Sequence, residues 1–162
     1  MNFNEKLQSA ILKNDVDQAK YILKEIKKES FIQISLHTIL NMATLHSTPQ
    51  MIELIMDELS KDLSSHILMG AFDNINTGTE RYFENYKKFI QKALPEMSFY
   101  LIEQITEEFL KKNNKSKYEV LYQEEFLKIL KTPCFNDIKP EFIQAFEYDI
   151  QKEKLKLNLE NF

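Results

Sequence analysis

The chain has 162 residues, 43% hydrophobic and 28% charged, with a net charge of −4, which suits one domain or a short array with its own core and excludes a disordered tail. Only two glycines, four prolines and two valines occur, against an abundance of Leu, Ile, Lys, Glu and Gln, so the composition is that of an all-α fold. Basic charge is lysine except for Arg81 and is mixed with acid throughout, which argues against a dedicated nucleic-acid binder and against bidentate phosphate or carboxylate recognition.

The chain repeats itself at a stride of about 33 residues. Ile22-Leu23 is followed by Ile55-Met56, Phe89-Ile90 and Ile129-Leu130, at spacings of 33, 34 and 40. Polar breaks move with them: Asn14-Asp15, Ser47-Thr48, Thr77-Gly78 and Asn113-Asn114, with a second set at Glu29-Ser30, Lys61-Asp62, Pro95-Glu96 and Lys131-Thr132. A period of this length marks stacked two-helix units that cannot bury their apolar faces alone.

In chain order, Leu7, Ala10 and Ile11 predict a short amphipathic helix ending at Asn14-Asp15. Asp15, with Gln18 three residues on, caps a second helix that buries Val16, Ala19, Ile22, Leu23 and Ile26 and ends in Lys27-Lys28. Leu36, Ile39, Leu40 and Ala43 form a third; Thr48-Pro49 opens a fourth over Met51, Ile52, Ile55, Met56 and Leu59. Leu63, Ile67, Leu68, Ala71 and Phe72 lead to a loop from Asp73 to Gly78, after which Thr79 is expected to cap a helix carrying Tyr82, Phe83, Tyr86, Phe89, Ile90 and Ala93. Met97, Leu101, Ile102, Ile105 and Phe109 precede an exposed basic loop, Lys111 to Lys117, and then Tyr118, Leu121, Tyr122, Phe126, Ile129 and Leu130. A spacer after Thr132-Pro133 joins a last helix, Pro140 to Lys156, with Phe142, Ile143, Phe146 and Ile150, and a tail from Leu155 to Phe162 that frays or docks. Residues 1–131 thus hold four helix pairs, about 5–30, 35–60, 62–94 and 97–131, and residues 132–162 cover the last apolar face as a cap.

Thr38 to Met56 resembles an ankyrin repeat. Thr38, Leu40, Met42 and Ala43 stand for the TPLHLAA-type helix, His46-Ser47 for the break, and Ile52, Leu54, Ile55 and Met56 for the EIVKLLL-type helix; Leu7, Ala10, Asn14-Asp15 and Ile22-Leu23 match more loosely. The pattern departs at Ile39 and Asn41, where the family has proline and histidine, and lacks the break and hairpin glycines. A generic α-solenoid is the alternative; the tetratricopeptide period is similar, but its Trp, Gly and Pro signature is missing. The resemblance implies an ankyrin-like α-solenoid whose first helices and inter-repeat tips form a concave protein-binding face. On that basis Asn41, Thr44, Leu45, Asp73, Asn74, Tyr100 and Gln104 are the expected partner contacts. It further implies kinship with ankyrin-like proteins of intracellular bacteria, hence an effector or effector regulator.

Chemistry-bearing residues are sparse. His37, His46 and His66 form no metal-binding motif, and His37 and His46, nine residues apart, point to opposite sides of a helix. Cys134 has no partner for a disulfide and no adjacent base, so a reducing compartment is the natural reading. Two glycines cannot build a phosphate-cradling loop, and Glu107-Glu108 and Glu124-Glu125 diverge by about 100° on a helix. No run approaches the ~20 apolar residues of a membrane span, and the first residues, Met1 to Lys6, have no signal-peptide pattern. The expectation is a non-enzymatic protein-interaction module without cofactor, metal, nucleic acid or small-molecule substrate, cytoplasmic or delivered into a host cell without a cleaved signal. The alternatives are an inhibitor or immunity-type protein blocking one enzyme, and a helical-bundle enzyme using histidine.

Overall fold

The computed structural model describes residues 2–28 and 34–158. Among them the secondary structure is nine α-helices with short 3₁₀ turns and no strand, so the chain is all-α. The break at Glu29-Ser30 and residues 159–162 of the tail lie outside the described residues. Two compact units divide the chain, Met1–Ile75 and Asn76–Phe162.

The first unit holds α1 (Phe3–Leu12), α2 (Val16–Lys28), α3 (Leu36–His46), α4 (Pro49–Leu59) and α5 (Ser65–Ile75). Its boundaries follow local chemistry. Asn2 Oδ1 accepts the amide of Glu5 at 2.8 Å and Asp15 Oδ1 that of Gln18 at 3.0 Å, each satisfying an amide that a helix start leaves without a partner. Asn14 adopts φ 56°, the left-handed conformation that asparagine tolerates, and so turns α1 into α2. Thr48 caps α4 with Pro49 at its first position. α1 packs on α2 and α3, α2 on α4, and α3 on α4 and α5. Leu7, Ile11, Leu23, Ile39, Leu40, Ile52 and Ile55 form a core without solvent exposure.

The second unit holds α6 (Phe83–Ala93), α7 (Phe99–Lys111), α8 (Lys117–Leu130) and α9 (Pro140–Lys156), with 3₁₀ turns at Leu94–Glu96 and Pro133–Phe135. α8 packs on α6 and α9, and α7 on α9. The core here is aromatic. Tyr86 and Tyr122 stack at 4.1 Å, and Phe109 packs against Phe126 and Phe146 at 5.3 and 5.6 Å. Phe135 and Ile138 are buried, so the spacer before α9 is a packed wedge, with Phe135 lying 6.0 Å from Phe99.

Four expectations are corrected. Asp73 to Ile75 complete α5, so the loop expected from Asp73 starts later. Thr79 does not cap α6: Tyr82 precedes the helix, and Thr79 instead bonds Thr77 Oγ1 at 2.7 Å and offers its carbonyl to the Tyr122 hydroxyl at 2.7 Å. On α8, Val120, Gln123 and Leu127 are buried where Tyr118, Leu121 and Ile129 were expected, because the helix serves neighbours on two sides and its buried face is wider than one stripe. The basic segment is exposed only in part. Lys115 is 2% exposed, its Nζ 2.7 Å from Gln123 Oε1 and 2.5 Å from Asp149 Oδ2, while its amide donates to Glu153 Oε2 at 3.4 Å.

Candidate functional site

Hydrogen bonds join the helices of the first unit at both ends. At the start of α1, Asn4 Oδ1 accepts the amide of Ser35, which precedes α3, at 3.3 Å; beyond their other ends, Thr48 Oγ1 donates to Asn14 Oδ1 at 3.0 Å. α1 and α3 therefore run parallel. α3 and α5 do likewise: the rings of His37 and His66 meet edge-on at 5.7 Å near the helix starts, and Asn74 Nδ2 donates to Asn41 Oδ1 at 3.1 Å further along. On the other side, Lys27 and Glu58 pair at 2.6 Å across the ends of α2 and α4. Bonds between exposed side chains contribute little stability individually; their effect is to set the register of one helix on the next.

In the sequence a stride of 33 relates Asn4, His37 and Gly70, then Gln8, Asn41 and Asn74, then Leu12 and Leu45; in the structure His37 lies beside Gly70 and Asn41 bonds Asn74. Within each helix these positions are four apart, so they share a face. Gly70 stands beside His37: a Cβ built there would lie 3.8 Å from Nδ1, so the absence of a side chain leaves that edge of the imidazole uncovered.

The expected contact residues separate into groups. Asn41 and Asn74 are brought together by their hydrogen bond, Leu45 is half-buried on the same helix as Asn41, and Asp73 is exposed beside Asn74, its carboxyl raised above its usual value by partial burial. Thr44 leaves the set, because it is 0% exposed and its hydroxyl donates to the Asn41 carbonyl at 3.2 Å. Its place on α3 turns it toward the core, next to Leu40 and Ala43. Tyr100 and Gln104 belong to the second unit, where Gln104 Nε2 donates to the Tyr100 hydroxyl at 2.8 Å and holds a ring that is 68% exposed.

Sequence reasoning treated the histidines singly and missed the pairing of His37 with His66. The signal was present in the stride: His37 lies 33 residues before Gly70, which is one helical turn from His66. Among the described residues, no three His, Cys, Asp or Glu side chains are grouped to hold a metal ion. Cys134 is exposed in the 3₁₀ turn before α9. Among the described residues no helix is long and apolar enough to cross a membrane. No family model, curated protein or solved structure matches the chain.

Proposed function

We propose that the chain is a protein-binding module of the ankyrin-like α-solenoid kind, without catalytic activity, whose partner docks on the outer face of α1, α3 and α5. The observation that carries this reading is the spacing of the cross-helix bonds. Asn4 with Ser35, Asn14 with Thr48, Asn41 with Asn74 and Lys27 with Glu58 are separated by 31, 34, 33 and 31 residues, so equivalent positions of successive helix pairs meet. Translation by one repeat produces this pattern, and arrays of that sort present rows of side chains on an extended surface suited to another protein. In the second unit Tyr86 donates to the Tyr122 carbonyl at 3.0 Å across a slightly longer interval, 36 residues.

The test places a photo-crosslinking residue, benzoylphenylalanine, at Leu45 and, as a control, at Lys20 on the exposed side of α2. A partner on the proposed face gives a discrete crosslinked product from position 45 that Leu12→Glu suppresses, and none from position 20. Equal products from both positions, or none from either, would refute the assignment.

A further inference from the structure

The α3 and α5 part of this face is short of charge as well as bearing paired amides, while α1 adds Glu5 and Lys6 beside Gln8. α3 and α5 together contain 22 residues and one charged side chain, Asp73, where the chain-wide 28% would place about six. Six of the 13 residues of α2 are charged. Burial accounts for Ile39, Leu40, Ala43, Leu68 and Phe72, but His37, Thr38, His66 and Asn74 are exposed and none is Asp, Glu, Lys or Arg. Depletion of charge at an exposed surface is the compositional mark of the centre of an interface. The exposed groups also have a particular chemistry. A side-chain amide offers a donor and an acceptor from one planar group, the same pair that a peptide unit presents. With Asn74 Nδ2 on Asn41 Oδ1, Asn41 keeps its NH₂ and Asn74 its carbonyl oxygen for another partner, already oriented by the bond between them.

We infer that this face takes an extended, uncharged segment of a partner polypeptide, laid across α1, α3 and α5 and held through its main chain by Gln8, Asn41 and Asn74. The inference rests on the protein-binding reading above and narrows it. Packed helices lie about 8–10 Å apart, so three of them span roughly 20 Å from axis to axis. At about 3.3 Å per extended residue, six or seven residues cover that distance. Leu12, which is 54% exposed, and the half-buried Leu45 lie one turn further along α1 and α3 and offer apolar surface to that flank of the segment. Gly70 leaves room for the segment beside His37.

The probe is a mixture of end-capped heptapeptides randomised over Ser, Thr, Asn, Gly, Ala, Val and Leu, titrated into the full-length chain. The side-chain NH₂ resonances of Asn41 and Asn74 are expected to move at millimolar peptide. Asn41→Leu/Asn74→Leu should weaken binding at least tenfold, as should Gly70→Asp, an independent variant whose Cβ would lie at ordinary contact distance, 3.8 Å, from His37 Nδ1; unchanged far-UV circular dichroism shows that each remains folded. A main-chain N-methylated mixture should not bind. The inference is overturned if the resonances stay still, if the N-methylated mixture moves them equally, or if an Asp/Glu-containing mixture binds better, which would make the histidines the reading groups. Movement with protein concentration alone also overturns it, in favour of a second copy as occupant. Failure of the peptides while position 45 still crosslinks a partner sinks the segment but leaves the binding face standing; failure of both removes both.

Discussion

Replacing Lys115 by methionine isolates the most consequential polar contact in the second unit. The side chain of Lys115 is fully buried and that of Asp149 is 13% exposed, with 2.5 Å between ammonium and carboxylate. Methionine keeps most of the buried volume, so no large cavity forms and the change is almost purely electrostatic. It leaves Asp149 as a nearly buried carboxylate without its cation and Gln123 Oε1 without its donor, while Glu153 keeps the main-chain amide of Lys115. Removing one partner of a buried pair costs about 3–5 kcal/mol, whereas replacing both by apolar groups is neutral or stabilising. Lys115→Met is therefore expected to lose about 3–5 kcal/mol, and Lys115→Met/Asp149→Leu to recover most of it. Urea unfolding followed by tyrosine emission is the assay, because six of the seven tyrosines lie beyond residue 76 and report the second unit. A loss below about 1 kcal/mol in the single variant, or a double variant as unstable as the single, would show that the pair does not work as described.

Burial, with the neighbouring Tyr122 and Glu125 adding to it, holds the Tyr86 phenol well above its ordinary ionisation range. Since the neutral form is the one stabilised, this contribution is present below the ordinary tyrosine value and disappears as the pH climbs past it. The loss of the 295 nm titration contribution of Tyr86 in Tyr86→Phe should therefore be confined to the alkaline unfolding step, and the variant should unfold at higher pH. At the start of α8, Ser116 and Glu119 bond each other's amides at 3.3 Å, so Ser116→Ala should cost about 0.5–2 kcal/mol in urea unfolding. Burial raises the Glu119 carboxyl, but hydrogen bonds from Lys112 and Ser116 outweigh it and the net shift is downward. The stability this gives is complete above the ordinary carboxylate value and is lost as acid protonates the folded form, so Glu119→Gln should differ from the parent at neutral pH and converge with it in acid. Gly78 has φ 64° and a Cβ there would meet Glu119 Cγ at 2.6 Å; Gly78→Ala should lose about 1–2 kcal/mol from the backbone alone, checked by the same urea melt.

Much of the helical layout was legible because its causes are local. Asp15, Thr48 and Pro140 stand where α2, α4 and α9 begin, and apolar residues three and four apart mark the faces that bury. Thr79 misled because a threonine before an aromatic stripe looks like a cap, while its actual bonds run to Thr77 and to Tyr122, 43 residues away. Thr44 misled for a similar reason, since its flanking Ala43 and Leu45 give no local sign of which neighbour covers it.

Of the candidate site, single residues could be named from the sequence but not which of them meet. Asn41 and Asn74 were singled out separately, and their bond was foreshadowed by a separation equal to the repeat stride. Lys115 and Asp149 are 34 residues apart and follow the same rule, yet Lys115 sits in a run of lysines and asparagines whose composition suggests water.

Helix number, length and period come from hydrogen bonds and side-chain spacing within a few residues, so the amino-acid order alone dictates them. Which polar groups leave water is another matter. Lys115, Thr44 and Tyr86 are buried by helices packed around them, and the balance between lost hydration and gained partners exists only once those helices meet.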